Sequence, residues 1–200
     1  MLTLCVLSGA RVMAQDVQQP SLKVTAELVG RRYCAGEKIH ILQLSVRLRY
    51  QNTGGQKIII YRGKNFFYQS RIRGGAPGKQ YEAVVLNSRF NDAQTEPVDS
   101  QRPGSAFLTL PPGGTYETVV VIGVGVAPEG TERATNSIRP GEHTLQVIAS
   151  SWYESRKLGE ELRGRWQGYG LLWLDPVVTQ PLKFNAGQDA EAIDCRWRND

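Results

Sequence analysis

The stretch Val119-Val120-Val121-Ile122-Gly123-Val124-Gly125 has the residue types of a phosphate-binding loop, β-branched residues running into a GxG. In a dinucleotide site the glycines let the backbone turn against a pyrophosphate, and the next helix offers free N–H groups at its N-terminus. The spacing argues against that chemistry here. Gly125 is followed by Val126-Ala127-Pro128-Glu129-Gly130, so the third glycine is misplaced, and Pro140-Gly141 interrupts the next segment before an apolar helical face develops. Without a βαβ unit the stretch reads as a glycine-relieved strand or bulge, and no cofactor is expected.

Other chemistries have thin support. The two histidines, His40 and His143, stand outside any HxH or HExxH pattern, and there is no CxxC. No metal site is therefore assigned, and both rings are expected at the surface or at strand ends. Neither histidine accompanies a GxSxG nucleophile motif. Glu160 and Glu161 are adjacent on a predicted helix, so their carboxylates point apart and do not make an acid/base pair. No catalytic residue is assigned.

Two clusters could bind a partner. Arg62, Lys64, Arg71 and Arg73, interleaved with Phe66, Phe67 and Tyr68, form a basic-aromatic patch. Cations that neutralise phosphates beside rings that stack bases suit nucleic acid. Export, argued next, disfavours that partner, and an anionic glycan or lipid surface fits better. The competing reading makes the rings core and the arginines wet strand faces. The second cluster is Trp152, Tyr153, Trp166, Tyr169 and Trp173. Such rings bind sugar faces or apolar side chains, and equally they build a local core inside a long loop.

The N-terminus points to export. Leu2 to Ala10 is apolar, and Val12-Met13-Ala14 places small or compact residues where signal peptidase requires them. Residues 1–14 are read as a signal peptide, 15–20 as a flexible leader and 21–200 as one domain, secreted or periplasmic. Cys5 would leave with the signal peptide. The remaining Cys34 and Cys195 are read as one disulfide tying the start of the fold to its end, the alternative being two buried thiols. No apolar run approaches the ~20 residues that span a bilayer, so no transmembrane segment is expected. With 200 residues, 40% hydrophobic and 22% charged, the chain can bury one good core, and a formal charge of +5 is only a weak pointer to anionic partners.

The elements that must position these residues read as strands. Leu42, Leu44, Val46, Leu48 and Tyr50 alternate with Gln43, Ser45, Arg47 and Arg49, the period of a strand with one wet face. Asn52-Thr53-Gly54-Gly55 is turn chemistry, so Lys57–Tyr61 is expected to pair back as a hairpin. Leu22–Leu28, Tyr81–Leu86, Leu145–Ala149 and Leu182–Phe184 read as further strands. Leu110-Pro111-Pro112-Gly113 and Ile138-Arg139-Pro140-Gly141 are similar Pro-Gly corners, each leading into a strand. Leu158, Leu162 and Trp166 line one face of a short helix, capped by Ser155 and ended by Gly168, with Gly159 and Gly164 each costing about 1 kcal/mol relative to alanine.

The corner Leu110-x-Pro112-Gly113-x-x-Tyr116 resembles the turns of fibronectin type III and related immunoglobulin-like sandwiches. The run LSVRLRYQNTGGQKIIIY resembles paired strands of bacterial secreted immunoglobulin-like modules, and DPVVTQPLKF looks like their closing strand. The resemblance implies an all-β, antiparallel immunoglobulin-like β-sandwich of about seven to nine strands, with one short helix before the last. Such modules share a fold and not an activity, so no catalytic residue carries over. The expected function is a non-catalytic binding or structural module acting on a protein or glycan surface. The alternatives are a carbohydrate-binding accessory domain or secreted hydrolase using the Trp152–Trp173 loop, and a proteinase inhibitor.

Overall fold

The computed structural model describes residues 21–36, 39–62, 67–75, 79–88, 101–150, 152, 154–187, 192, 193 and 195. The signal-peptide and leader segments, Lys64, Phe66 and Tyr153 lie outside them. The chain is mostly β. In order it forms β1 (Leu22–Cys34), β2 (His40–Asn52), β3 (Ile58–Tyr61), β4 (Phe67–Gly74), β5 (Tyr81–Ser88), β6 (Phe107–Leu110), β7 (Thr115–Val126), β8 (Ser137–Ile138), β9 (Gly141–Ser150), α1 (Arg156–Arg165), β10 (Leu171–Leu172), β11 (Val177–Val178) and β12 (Leu182–Ala186).

Among the described residues three sheets result, with orders β1-β2-β7-β8, β10-β3-β6 and β11-β9-β4-β5, and β12 also pairs β9. Most pairings are antiparallel, but β10 with β3 and β7 with β8 are parallel, so the expected purely antiparallel arrangement is corrected to a mixed one. The helix also stands earlier than expected. Among the described residues three short strands follow it, β10 and then β11 and β12, into which Thr179 to Pro181 breaks the DPVVTQPLKF run. Across that break Thr179 stays tied to β9, exchanging backbone and hydroxyl bonds with Val147.

Alternation in β2 works as read. Leu42, Leu44, Val46, Leu48 and Tyr50 are at most 1% exposed, each such aliphatic side chain contributing roughly 1.5–3 kcal/mol of burial. They share one core with Ile122 and Val124 of β7 and with Ile72, Leu145 and Val147 of the third sheet. The Val119–Gly125 run is the interior of β7, in unbroken register with β2. The bulge lies elsewhere, in β1 between Leu28 and Gly30.

The hairpin after Tyr50 does not form. Both edges of β2 are occupied, by β1 and by β7, so β3 has no edge to join and pairs with β6 and β10 instead. Asn52 makes the crossing. Its fully buried side chain donates to the carbonyls of Gln56 (2.8 Å) and Leu110 (3.0 Å), and its Oδ1 accepts from the Gly54 N–H at 3.0 Å. β3 is buried along its whole length, with Ile58 and Ile60 in the main core and Ile59 in a second one. An uninterrupted apolar run is the signature of a strand covered on both faces, and that signal was present in KIIIY.

The first Pro-Gly corner forms as read. Gly113 adopts φ 75°, and the Gly114 N–H bonds to the Pro111 carbonyl at 2.8 Å, which closes the turn from β6 into β7. The second corner carries the chain from β8 into β9, with Gly141 at φ 122°. The helix begins where expected, its Leu158 N–H capped by the Ser155 hydroxyl, but the positive-φ residue that ends the turn after it is Gly170 and not Gly168. A disulfide joins Cys34 to Cys195. Beside it Ile193 bridges to Cys34, its N–H bonding to Tyr33 and its carbonyl accepting from Ala35. Among the described residues no helix is long and apolar enough to cross a membrane.

Candidate functional site

At one end of the third sheet, a cleft of about 560 Å³ is lined by Arg73, Gln80, Glu142, Thr144, Lys183 and Asn185 together with Gly74, Gly75, His143 and Phe184. Three neighbouring strands supply it. Arg73 of β4 lies opposite Thr144 of β9, which lies opposite Lys183 of β12. Residues opposite one another in a sheet share a face, so these three form one outward row, extended by Glu82 of β5 opposite Arg73. Glu82 accepts from the Arg73 Nε at 2.7 Å across this exposed surface, a pair worth little to stability.

The next row points inward and holds the cleft's floor in place. It contains Tyr81, Gly74, His143 and Phe184. His143 is 4% exposed, so it is not a surface ring; it stands third in β9, near the start of the strand. Its Nδ1 faces the Gly141 carbonyl at 2.8 Å, so Nδ1 carries the proton, and Nε2 accepts from the Tyr81 hydroxyl at 2.8 Å. That hydroxyl accepts in turn from the Arg139 N–H at 2.7 Å. The His143 ring stacks on Phe184, and the Arg133 guanidinium covers the Tyr81 ring at 4.3 Å. Sequence reading missed this node, because nothing local to His143 shows that a tyrosine from another strand takes its lone pair.

Burial pushes the His143 pKa below its ordinary value, while the Gly141 hydrogen bond pulls weakly the other way. The Tyr81 O–H donation suits the neutral ring, and protonation would set two donors, Nε2–H and the Tyr81 O–H, against each other, whereas the Gly141 carbonyl accepts from either form. The unfolded chain takes up a proton near pH 6.5 and the folded chain only below that. The stabilisation is therefore complete above about pH 6.5 and is lost as pH falls from there toward the lowered value, at no more than about 1.4 kcal/mol per pH unit. Urea melts at pH 5.5, 6.5 and 7.5 should show this loss, and His143→Gln should flatten it. An unchanged slope in the variant would refute the assignment.

The structure divides the basic-aromatic patch. Arg71 and Arg73 share the outward face of β4, whereas Tyr68 is turned inward, its hydroxyl donating to the Val121 carbonyl at 3.0 Å. Phe67 starts β4, and Arg62 is exposed beyond β3 in another sheet, bonded through its N–H to Ala106. The tryptophan loop gathers around a second core. Trp166 (0% exposed), Trp152, Leu162, Leu172, Leu174 and Ile59 pack together, with Phe107 edge-on to Trp166 at 4.9 Å. Trp173 is half-buried against the main core and Tyr169 is exposed. His40 is exposed at the start of β2, and among the described residues no three His, Cys, Asp or Glu side chains gather as a metal site would require.

No family model matches the chain, and no curated protein does so. Among solved structures, a Northeast Structural Genomics Consortium target overlays 90% of this chain and 96% of its own, at 11% identity and a TM-score of 0.36. A β-glucosidase involved in saponin metabolism from intestinal bacteria overlays 84% of this chain and 16% of its own, at 14% identity and a TM-score of 0.36. A Bordetella pertussis protein assigned as ApaA overlays 87% and 99%, at 14% identity and a TM-score of 0.33. Likenesses this loose carry no argument about activity.

Proposed function

We propose that the chain is an exported binding module, an immunoglobulin-like sandwich closed by its disulfide, which holds a small polar ligand in the β4–β9–β12 cleft without transforming it. The observation that carries this reading is the cleft itself, a concave site in the size range of small-molecule pockets with several polar side chains on its lining. Recognition fits the site better than turnover, because the one histidine of the row already has both ring nitrogens engaged, by Gly141 and Tyr81. A sandwich is supported by the shared core of the first and third sheets and by the Tyr68–Val121 bond between them. Export is supported by the disulfide, which persists in oxidising compartments.

A thermal-shift panel of sugars, sugar acids, sugar phosphates, amino acids and short peptides tests this, with each compound recovered for mass analysis. At least one is expected to raise the melting temperature and return unchanged. A ligand at a hundred times its Kd adds about 2.7 kcal/mol to stability. A hit that returns chemically altered would make the protein an enzyme. A panel without any shift would remove the cleft as a ligand site.

A further inference from the structure

Resting on that reading, we propose that the cleft recognises a small oxyanion, a carboxylate or phosphate group held between Arg73 and Lys183 over the Thr144 hydroxyl. The register of β4, β9 and β12 puts one hydroxyl between two cations on a single face. Their Cα atoms are two strand spacings apart, about 10 Å, a gap that two long side chains can close over one bound group. The partners these groups lack point the same way. Among the described residues nothing bonds to the Lys183 ammonium or the Thr144 hydroxyl, and Glu82 engages Arg73 only through Nε.

Arg71 strengthens the field. It lies two residues along β4 on the same face, and its Nε is buried with no hydrogen-bond partner among the described residues. Glu142 is the single carboxylate on the lining, against two cations. A neutral ligand would leave the Lys183 ammonium and the terminal N–H groups of Arg73, beyond its Nε bond to Glu82, without a charged acceptor, whereas an oxyanion accepts charge-assisted hydrogen bonds from both. Gln80 and Asn185 supply neutral donors and acceptors for a polar body, and the volume admits a sugar acid or sugar phosphate.

Calorimetric titration of the disulfide-bonded chain with glucuronate, glucose 6-phosphate and glucose tests the proposal, since the three share a sugar ring and differ in the charged group. At least one of the two anions is expected to bind, with glucose silent. Lys183→Gln or Arg73→Gln should weaken that binding about tenfold or more, with the melting temperature unchanged because both side chains are exposed. Binding by glucuronate alone identifies a carboxylate, and by glucose 6-phosphate alone a phosphate. Silence from both anions would overturn the oxyanion. So would binding that ignores both substitutions. Equal binding of glucose would also overturn it, yet would leave the cleft a ligand site, so the two readings fail separately.

Discussion

Reduction of the Cys34–Cys195 disulfide is expected to lower the melting temperature by roughly 10–20 °C. The bond closes a loop with a sequence separation of 161. In the chain-entropy model, a loop that long removes about 5 kcal/mol of freedom from the unfolded state, with residual structure there reducing the figure. Opening it also leaves the C-terminal segment attached to β1 at Ile193 by the two backbone hydrogen bonds of the Cys34–Ile193 bridge, each worth about 1 kcal/mol. Thermal melts with and without reductant measure the effect, and a Cys34→Ser/Cys195→Ser double variant should reproduce it while ignoring the reductant. A shift below about 2 °C would show that strand pairing alone holds the ends together.

Trp166→Ala is expected to cost about 3–5 kcal/mol in urea unfolding, the range for emptying a fully buried aromatic site. The ring lies at the centre of the second core. Phe107 meets it edge-on and also leans on Trp152 and Tyr61, so a cavity at Trp166 loosens the contact between α1 and the β10-β3-β6 sheet. Tyr169→Ala, three residues on and 48% exposed, should change stability by no more than about 0.5 kcal/mol. The contrast separates two roles for the cluster. A ring that binds sugar must present a face to solvent, and of the four described members Tyr169 is the exposed one. Equal, small effects at both positions would argue that Trp166 is not the keystone of a core.

Particular residues show how far the candidate site could be read from the chain. Arg71 and Arg73 stood out as members of a basic-aromatic patch, with wet strand faces as the competing reading, but the strand that carries them was not itself read from the sequence. Thr144 and Lys183 carried no comparable signal, since each is one polar residue among alternating apolar ones. They join Arg73 only through pairings between residues about 70 and about 40 positions apart. The His143–Tyr81–Arg139 chain is equally non-local, its partners separated by 62 and 58 positions in sequence.

Periodicity and turn chemistry act within a few residues, so the sequence by itself determined the strand faces of Leu42–Tyr50, the apolar stripe Leu158–Leu162–Trp166, the Ser155 cap and the Pro112-Gly113 turn. Which edge each strand takes is a competition among distant segments. Only the tertiary structure decided that β7 occupies the side of β2 where β3 was expected, and that β4, β9 and β12 align to make a cleft. Gly159 marks the boundary between the two. Locally it weakens a helix, but in the fold a side chain there would press within 3.0 Å of Leu174 and Trp152, so its bareness lets α1 seat on the second core. Local propensity sets what a segment prefers alone, and close packing sets what its neighbours allow.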